Sequence, residues 1–118
     1  MSRDVTLPSQ LQEQLLRLQQ LQQTLQVIIS QRQQLELENT EIDRALSELD
    51  KTSDDGLVYK SIGTLLIKSE KKKLIEELRE RKELTTTRIS ILTKQQQRVE
   101  ERLKELQQVI QEKIKPST

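Results

Sequence analysis

The chain has 118 residues, on the order of one domain, and about 34% of them are apolar when glycine is counted, against roughly 45–50% in soluble globular domains. Its 20 basic and 19 acidic side chains give a net charge of +1, so charge gives no reason to expect nucleic acid or an anionic membrane as a partner. The absence of histidine and cysteine excludes disulfides, thiol catalysis, imidazole acid–base chemistry and zinc sites of the usual ligand types.

The first predicted element is a long helix over about residues 9–50. When positions are taken alternately three and four residues apart from Leu7 to Leu49, ten of the thirteen positions hold an apolar side chain. Such a repeat is typical of a helix that packs against a partner in a coiled coil. Polar residues within this seam, such as Arg32 and Asn39, are expected to fix the register of the pairing.

The ends of this helix are predicted from capping and helix-breaking residues. Ser9, followed by Gln12 three positions later, predicts a capping box at the start. Residues 50–56 are weak helix formers and close with Gly56, which can adopt positive φ. We therefore expect the helix to stop near residue 50.

The segment over about residues 57–69 has a different composition, with many β-branched side chains and the single tyrosine. Gly63-Thr64 lies between two short apolar runs, which predicts a β-hairpin with strands over 57–62 and 65–69. A lone hairpin is marginal in water and has unpaired edges, so these hairpins are expected to assemble with strands of other chains. The residues assigned to this oligomerisation hairpin are Leu57, Val58, Tyr59, Ile62, Gly63, Leu65, Leu66 and Ile67. The alternative is a coiled-coil turn whose apolar residues cover the helix ends.

A second helix is predicted over about residues 70–115. The same spacing resumes at Ile75, where eight of its twelve positions hold an apolar side chain. This seam is weaker at Lys82 and at the run Thr85–Thr87, where β-branched residues predict local looseness. Pro116 is expected to close the helix.

Two helices joined by a short connection favour an antiparallel hairpin with both chain ends at one end of the coiled coil. Pairing Leu49 with Ile75 as a trial register brings Leu25 near Val99. The predicted fold class is mainly α: a long antiparallel two-helix coiled coil with one β-hairpin between the helices. All 118 residues then form a single unit.

This order of helix, single hairpin and helix resembles the β class of the prefoldin family. The most specific part of the resemblance is the stretch from Val58 to Lys68, reading VYKSIGTLLIK. Members of the α class carry two hairpins, whereas this chain has room for one. The resemblance implies a hexamer of two α and four β subunits, in which the hairpins form two intersubunit β-barrels and the coiled coils project as tentacles.

The resemblance also implies a function and a set of partners. Family members hold unfolded client proteins at the tentacle tips and deliver them to a group II chaperonin without using ATP. In an antiparallel hairpin the tips lie at the chain ends, where Leu16 and Leu106 also fall. The residues assigned to client binding are Val5, Leu7, Leu11, Leu15, Val109, Ile110 and Ile114.

Other functions are weighed against this hypothesis. The principal alternative is a structural or adaptor coiled coil without client binding.

Lysine and arginine clusters such as Lys71–Lys73 lie among glutamates and lack aromatic platforms, so no nucleic-acid partner is expected. Adjacent acid pairs such as Glu76-Glu77 do not face each other on a helix, and the two glycines form no phosphate loop. We therefore expect no enzyme activity, cofactor or metal.

The sequence also bears on localisation. No apolar stretch approaches the length of about 20 residues that a membrane span needs, and Met1–Pro8 contains no hydrophobic run typical of a signal peptide. A cytoplasmic protein without a membrane partner is expected.

Overall fold

A computed structural model describes residues 8–114. Helix α1 spans Ser9–Lys51, strand β1 Val58–Ile62, strand β2 Leu65–Ser69 and helix α2 Lys71–Ile114. The predicted fold class, two long helices with one antiparallel hairpin between them, is confirmed. Contacts divide the chain into two units, one formed by the start of α1 and the end of α2, and the other by Arg32–Ile91.

Helix α1 begins at Ser9, the residue predicted to cap it, so the helix starts one residue earlier than the capping box indicates. The backbone N–H of Gln12 donates to the carbonyl of Pro8 at 3.0 Å, so Pro8, not Ser9, accepts the first helical hydrogen bond. At the other end, Gly56 does not adopt the expected positive φ. Space is limited there, because a Cβ atom would lie 2.5 Å from Cγ2 of Thr52, so a larger residue would require the Thr52 side chain to shift.

The apolar seam of the first unit packs the start of α1 against the end of α2. Ile28, Val99 and Leu103 form its buried centre. The half-buried side chains that pack against this centre are Leu18, Leu21, Leu25 and Leu92. All of these residues occupy the predicted seam positions, and Leu25 and Val99 fall in one cluster as the trial register requires. The three-and-four spacing therefore identified the buried side of both helices.

The seam of the second unit also holds the hairpin. Leu49 of α1, Val58 of β1 and Leu74 of α2 are buried together, with Ile75 and Leu78 packed against them. Leu49 and Ile75 belong to this cluster, as the trial register predicts. Because Val58 comes from the strand, the cluster ties the base of the hairpin to both helices.

The first prediction concerns this cluster. The substitution Leu49→Ala is expected to lower the free energy of unfolding by about 2–5 kcal/mol, because it removes buried methyl groups and leaves a cavity. The exposed Leu37 of the same helix provides the control, and Leu37→Ala should change stability by less than about 0.5 kcal/mol. Urea unfolding followed by helical circular dichroism at one protein concentration measures both. Equal effects of the two substitutions would contradict the assigned core.

Polar residues of the second unit pair the helices in antiparallel register. The amide of Asn39 donates to the hydroxyl of Thr86 at 3.2 Å, and Lys82 donates to Asp43 at 2.6 Å. A further bond of 2.6 Å joins Arg81 to Glu38. As residue numbers rise along α1 from Asn39 to Asp43, their partners fall along α2, which is the expected antiparallel direction.

The threonine run does not interrupt α2, which is continuous from Lys71 to Ile114. The hydroxyl of Thr85 donates to the carbonyl of Arg81 at 2.8 Å, and that of Thr87 donates to the carbonyl of Glu83 at 3.0 Å. These bonds to the preceding turn satisfy hydroxyl groups within the helix. Thr85 is also buried in the seam.

The hairpin has the predicted turn and nearly the predicted strands. Ile62 pairs with Leu65 and Lys60 with Ile67 in an antiparallel register. Gly63, the first of the two turn residues, has a φ of 58°, as a type II′ turn requires. The strand β1 begins at Val58, one residue later than predicted, and β2 has the predicted bounds.

Candidate functional site

One strand of the hairpin is anchored to the helices and the other is not. Val58 of β1 is buried against Leu49 and Leu74, and Lys60 donates to a carboxylate oxygen of Glu77 on α2 at 3.0 Å. Every side chain of β2 is exposed except Ser69, which is half-buried. The base of the hairpin is thus fixed by its own helices, while β2 presents its side chains to solvent.

The exposed side chains of the hairpin are mostly apolar. Successive residues of a strand point to opposite faces, so the pairing puts Ile62, Leu65 and Ile67 on the face of Val58, and Leu66 on the other face with Tyr59. Leu66 is the most exposed large apolar residue, at 72%. Of the residues predicted to form the oligomerisation hairpin, the structure leaves Leu57, Tyr59, Ile62, Leu65, Leu66 and Ile67 exposed and buries only Val58.

A groove of about 840 Å³ runs beside β1. Its lining includes four consecutive residues of β1, from Val58 to Ser61, and no residue of β2. Both helices line the groove with apolar side chains, such as Ala45 and Leu78, and with charged ones, such as Glu80. Sequence reasoning did not find this groove, because it depends on where β1 crosses the helices and no local pattern indicates that position.

Hydrogen bonds of Lys71 connect the end of α1 with the start of α2. The ammonium group of Lys71 donates to the carbonyl of Thr52 at 2.8 Å and to Asp54 at 3.3 Å. The carbonyl belongs to the end of α1, where backbone acceptors lack helical partners, and a cation there also interacts favourably with the helix dipole. Lys71 therefore links the start of α2 to the segment that leads into the hairpin.

The predicted client-binding residues divide into buried and exposed groups. Leu11 and Ile110 are only 6% and 5% exposed, so they belong to the coiled-coil seam. Leu15 and Val109 are partly exposed, and Ile114 is 59% exposed. Leu16, placed at the same end by the sequence, is 57% exposed. Val5 and Leu7 lie outside the described residues.

The surface between the helices of the first unit is shallow and mixed in character. One depression of about 470 Å³ is lined by Leu21, Leu106 and Val109 together with Arg17, Arg102 and Glu105. Apolar and charged side chains thus contribute equally to the lining of this depression.

Neither a membrane-spanning helix nor a metal cluster is found in the part of the chain that the structure describes. Between residues 8 and 114, no helix is long and apolar enough to cross a membrane. Over the same range, no group of three or more acidic side chains is placed to hold a metal ion.

Comparison with known sequences gives a consistent result. A family profile described as "Prefoldin subunit" matches residues 12–117. The prefoldin subunit beta of Pyrococcus furiosus is 39% identical over 112 residues, which cover 95% of this chain and 96% of that protein. The protein of the same name from Thermoplasma volcanium is 49% identical over 106 residues, covering 89% of this chain and 86% of that protein.

Solved structures resemble the chain in fold as well. The crystal structure of the prefoldin beta subunit from Thermococcus strain KS-1 matches with a TM-score of 0.83 at 39% identity, covering 95% of this chain and 98% of that chain. The prefoldin beta2 subunit from the same strain matches with a TM-score of 0.69 at 27% identity, covering 76% of this chain and 96% of that chain.

Proposed function

Because the chain belongs to the prefoldin family, whose members are chaperone subunits and not enzymes, we propose that it is the β-class subunit of a hexamer with two α and four β chains. The hexamer holds unfolded client proteins in the cytoplasm without ATP and delivers them to a group II chaperonin. In this proposal residues 1–118 form one unit, with the hairpin for assembly and the coiled-coil ends for client binding.

The exposed apolar hairpin is the observation that carries the proposal. Leu65, Leu66 and Ile67 leave most of an apolar strand in water, and a strand with unpaired edges invites further pairing. Closing the hairpins of several subunits into barrels covers these side chains and removes the edges. A structural coiled coil without assembly would gain nothing from this surface.

The exposed side chains near the chain ends support the proposed client binding. Leu15, Leu16, Val109 and Ile114 remain accessible while the seam beneath them is packed. Each contact with a non-native chain contributes only about 25 cal/mol per Å² of apolar surface buried. Several tentacles that act on one client raise the total affinity through avidity, without requiring a specific pocket.

Suppression of aggregation tests this function. The chain, assembled with an α-class subunit, is added to a chemically denatured protein that aggregates on dilution, and light scattering is followed. We expect scattering to be suppressed at a molar excess of hexamer, without ATP. An inert coiled-coil protein at the same concentration is the control. Undiminished scattering would favour the structural or adaptor role instead.

A further inference from the structure

The depression of about 470 Å³ in the first unit combines two arginines with apolar side chains. Leu21, Leu106 and Val109 supply the apolar part of its lining. Arg17 and Arg102 supply one cationic group from each helix, and both are exposed. The depression is continuous with the surface proposed to bind clients, because Val109 belongs to both.

The two arginines of the depression form no ion pair within residues 8–114. The ion pairs found in this range all lie in the second unit, for example that of Arg81 with Glu38 at 2.6 Å. Glu105 also lines the depression, three positions after Arg102 on α2, but the two side chains are not paired. The lining therefore has an excess of positive charge, and both guanidinium groups are available to an incoming anion.

We propose that this depression binds segments of unfolded clients in which a carboxylate stands next to aliphatic side chains. The inference rests on the proposed function and deepens it, because it names the class of client segment that the coiled-coil ends prefer. An aliphatic side chain of the segment covers Leu106 and Val109, while the neighbouring carboxylate accepts hydrogen bonds from Arg17 or Arg102. Arginine suits this role, since its planar guanidinium group offers paired donors to a carboxylate and stays charged at neutral pH.

The size of the depression favours a flexible segment over a folded partner. A stable contact between folded proteins involves about 20–30 residues on each side, whereas six residues line this depression. A second copy of the chain would need much more surface than the depression provides. An unfolded segment needs only a few side chains at each site, and repetition of the site over the β subunits of the hexamer supplies further affinity.

Binding of three matched peptides to the hexamer assembled with an α-class subunit tests the inference. Each fluorescent peptide repeats the pattern Leu-Leu-X-Leu, where X is aspartate, asparagine or lysine, so the aliphatic residues are the same in all three. Fluorescence anisotropy measures the affinity of each peptide. We expect the aspartate peptide to bind at least about threefold more tightly than the asparagine peptide at low ionic strength, and this difference to shrink at high salt.

Variants that remove charge locate the preference. Arg17→Gln with Arg102→Gln should lower the affinity for the aspartate peptide to that for the asparagine peptide, and leave the latter affinity unchanged. The control Arg79→Gln with Arg88→Gln removes the same charge from exposed positions of α2 in the second unit. We expect this control to keep the full preference for aspartate. An equal loss of preference in both double variants would reveal only a general effect of net charge and would overturn the inference.

Two further variants are expected to gain binding, which misfolding does not produce. Arg17→Glu with Arg102→Glu should reverse the preference, so that the lysine peptide binds more tightly than the aspartate peptide. Glu105→Gln removes the acidic group of the depression and should raise the affinity for the aspartate peptide about twofold. If the charge reversal gave no gain for the lysine peptide, in a hexamer of normal mass and helical content, the inference would be wrong.

The failures of the inference and of the proposed function are distinguishable. Equal binding of the aspartate and asparagine peptides by an unmodified hexamer that suppresses aggregation contradicts the inference alone. Suppression of aggregation without binding of any of the peptides also contradicts the inference alone. Loss of both suppression and peptide binding contradicts the proposed function.

Discussion

The double substitution Leu65→Glu with Ile67→Glu is expected to abolish the hexamer while leaving the coiled coil folded. Both side chains are exposed in the single chain, so charging them costs little before assembly. In a barrel the two carboxylates would lie on the face shared with Val58 and lose their water. An unpaired buried charge costs several kcal/mol, and each assembly contains four copies of the pair under the proposed stoichiometry.

Analytical ultracentrifugation with the α-class subunit measures this effect. Leu37→Glu provides the control, because Leu37 is exposed on α1 and belongs neither to the hairpin nor to its groove. We expect the control to sediment as the hexamer and the double variant as smaller species, with equal helical content. A double variant that still forms the hexamer would show that this face of the hairpin is not buried between subunits.

The second large effect is expected at the chain ends. The double substitution Leu16→Ser with Ile114→Ser should lower the apparent affinity for unfolded proteins by at least about tenfold, while the hexamer still forms. Complete burial of one such side chain is worth about 1.5–3 kcal/mol, and about 1.4 kcal/mol corresponds to a factor of ten in binding. Because several tentacles hold one client, the loss at each end is compounded.

A matched variant separates client binding from general surface effects. Val27→Ser changes a side chain of α1 that is as exposed as Leu16 but farther from the start of the helix. It should keep both the hexamer and full suppression of aggregation. Leu11→Ser, by contrast, should destabilise the seam, because Leu11 is buried. Equal losses from Val27→Ser and from the double variant would contradict a client site at the ends.

The sequence was sufficient to predict the elements because each has a strong local signal. The three-and-four spacing placed Ile28, Val99 and Leu103 in a common seam, and Gly63 marked the hairpin turn. The ends of the elements were predicted less exactly. The backbone carbonyl of Pro8 accepts the first hydrogen bond of α1, and a backbone acceptor is present whatever side chain follows it. The capping-box pattern therefore placed the start of the helix one residue too late.

The candidate surfaces were only partly predictable, because exposure depends on contacts between distant parts of the chain. Val58 and Ile67 look alike in a strand pattern, yet the first packs on Leu49 and Leu74 while the second is exposed. Similarly, Leu11 and Leu16 are both leucines near the start of α1, and only the seam position of Leu11 buries it. The groove beside β1 has no local sequence signal at all.

The most direct test of the central claim, that the exposed hairpin is an assembly surface, is the native mass of the chain mixed with an α-class prefoldin subunit. The account predicts one dominant species with the mass of two α chains and four copies of this chain. A chain that remains monomeric, or forms the same small oligomer with and without the α-class subunit, would contradict it.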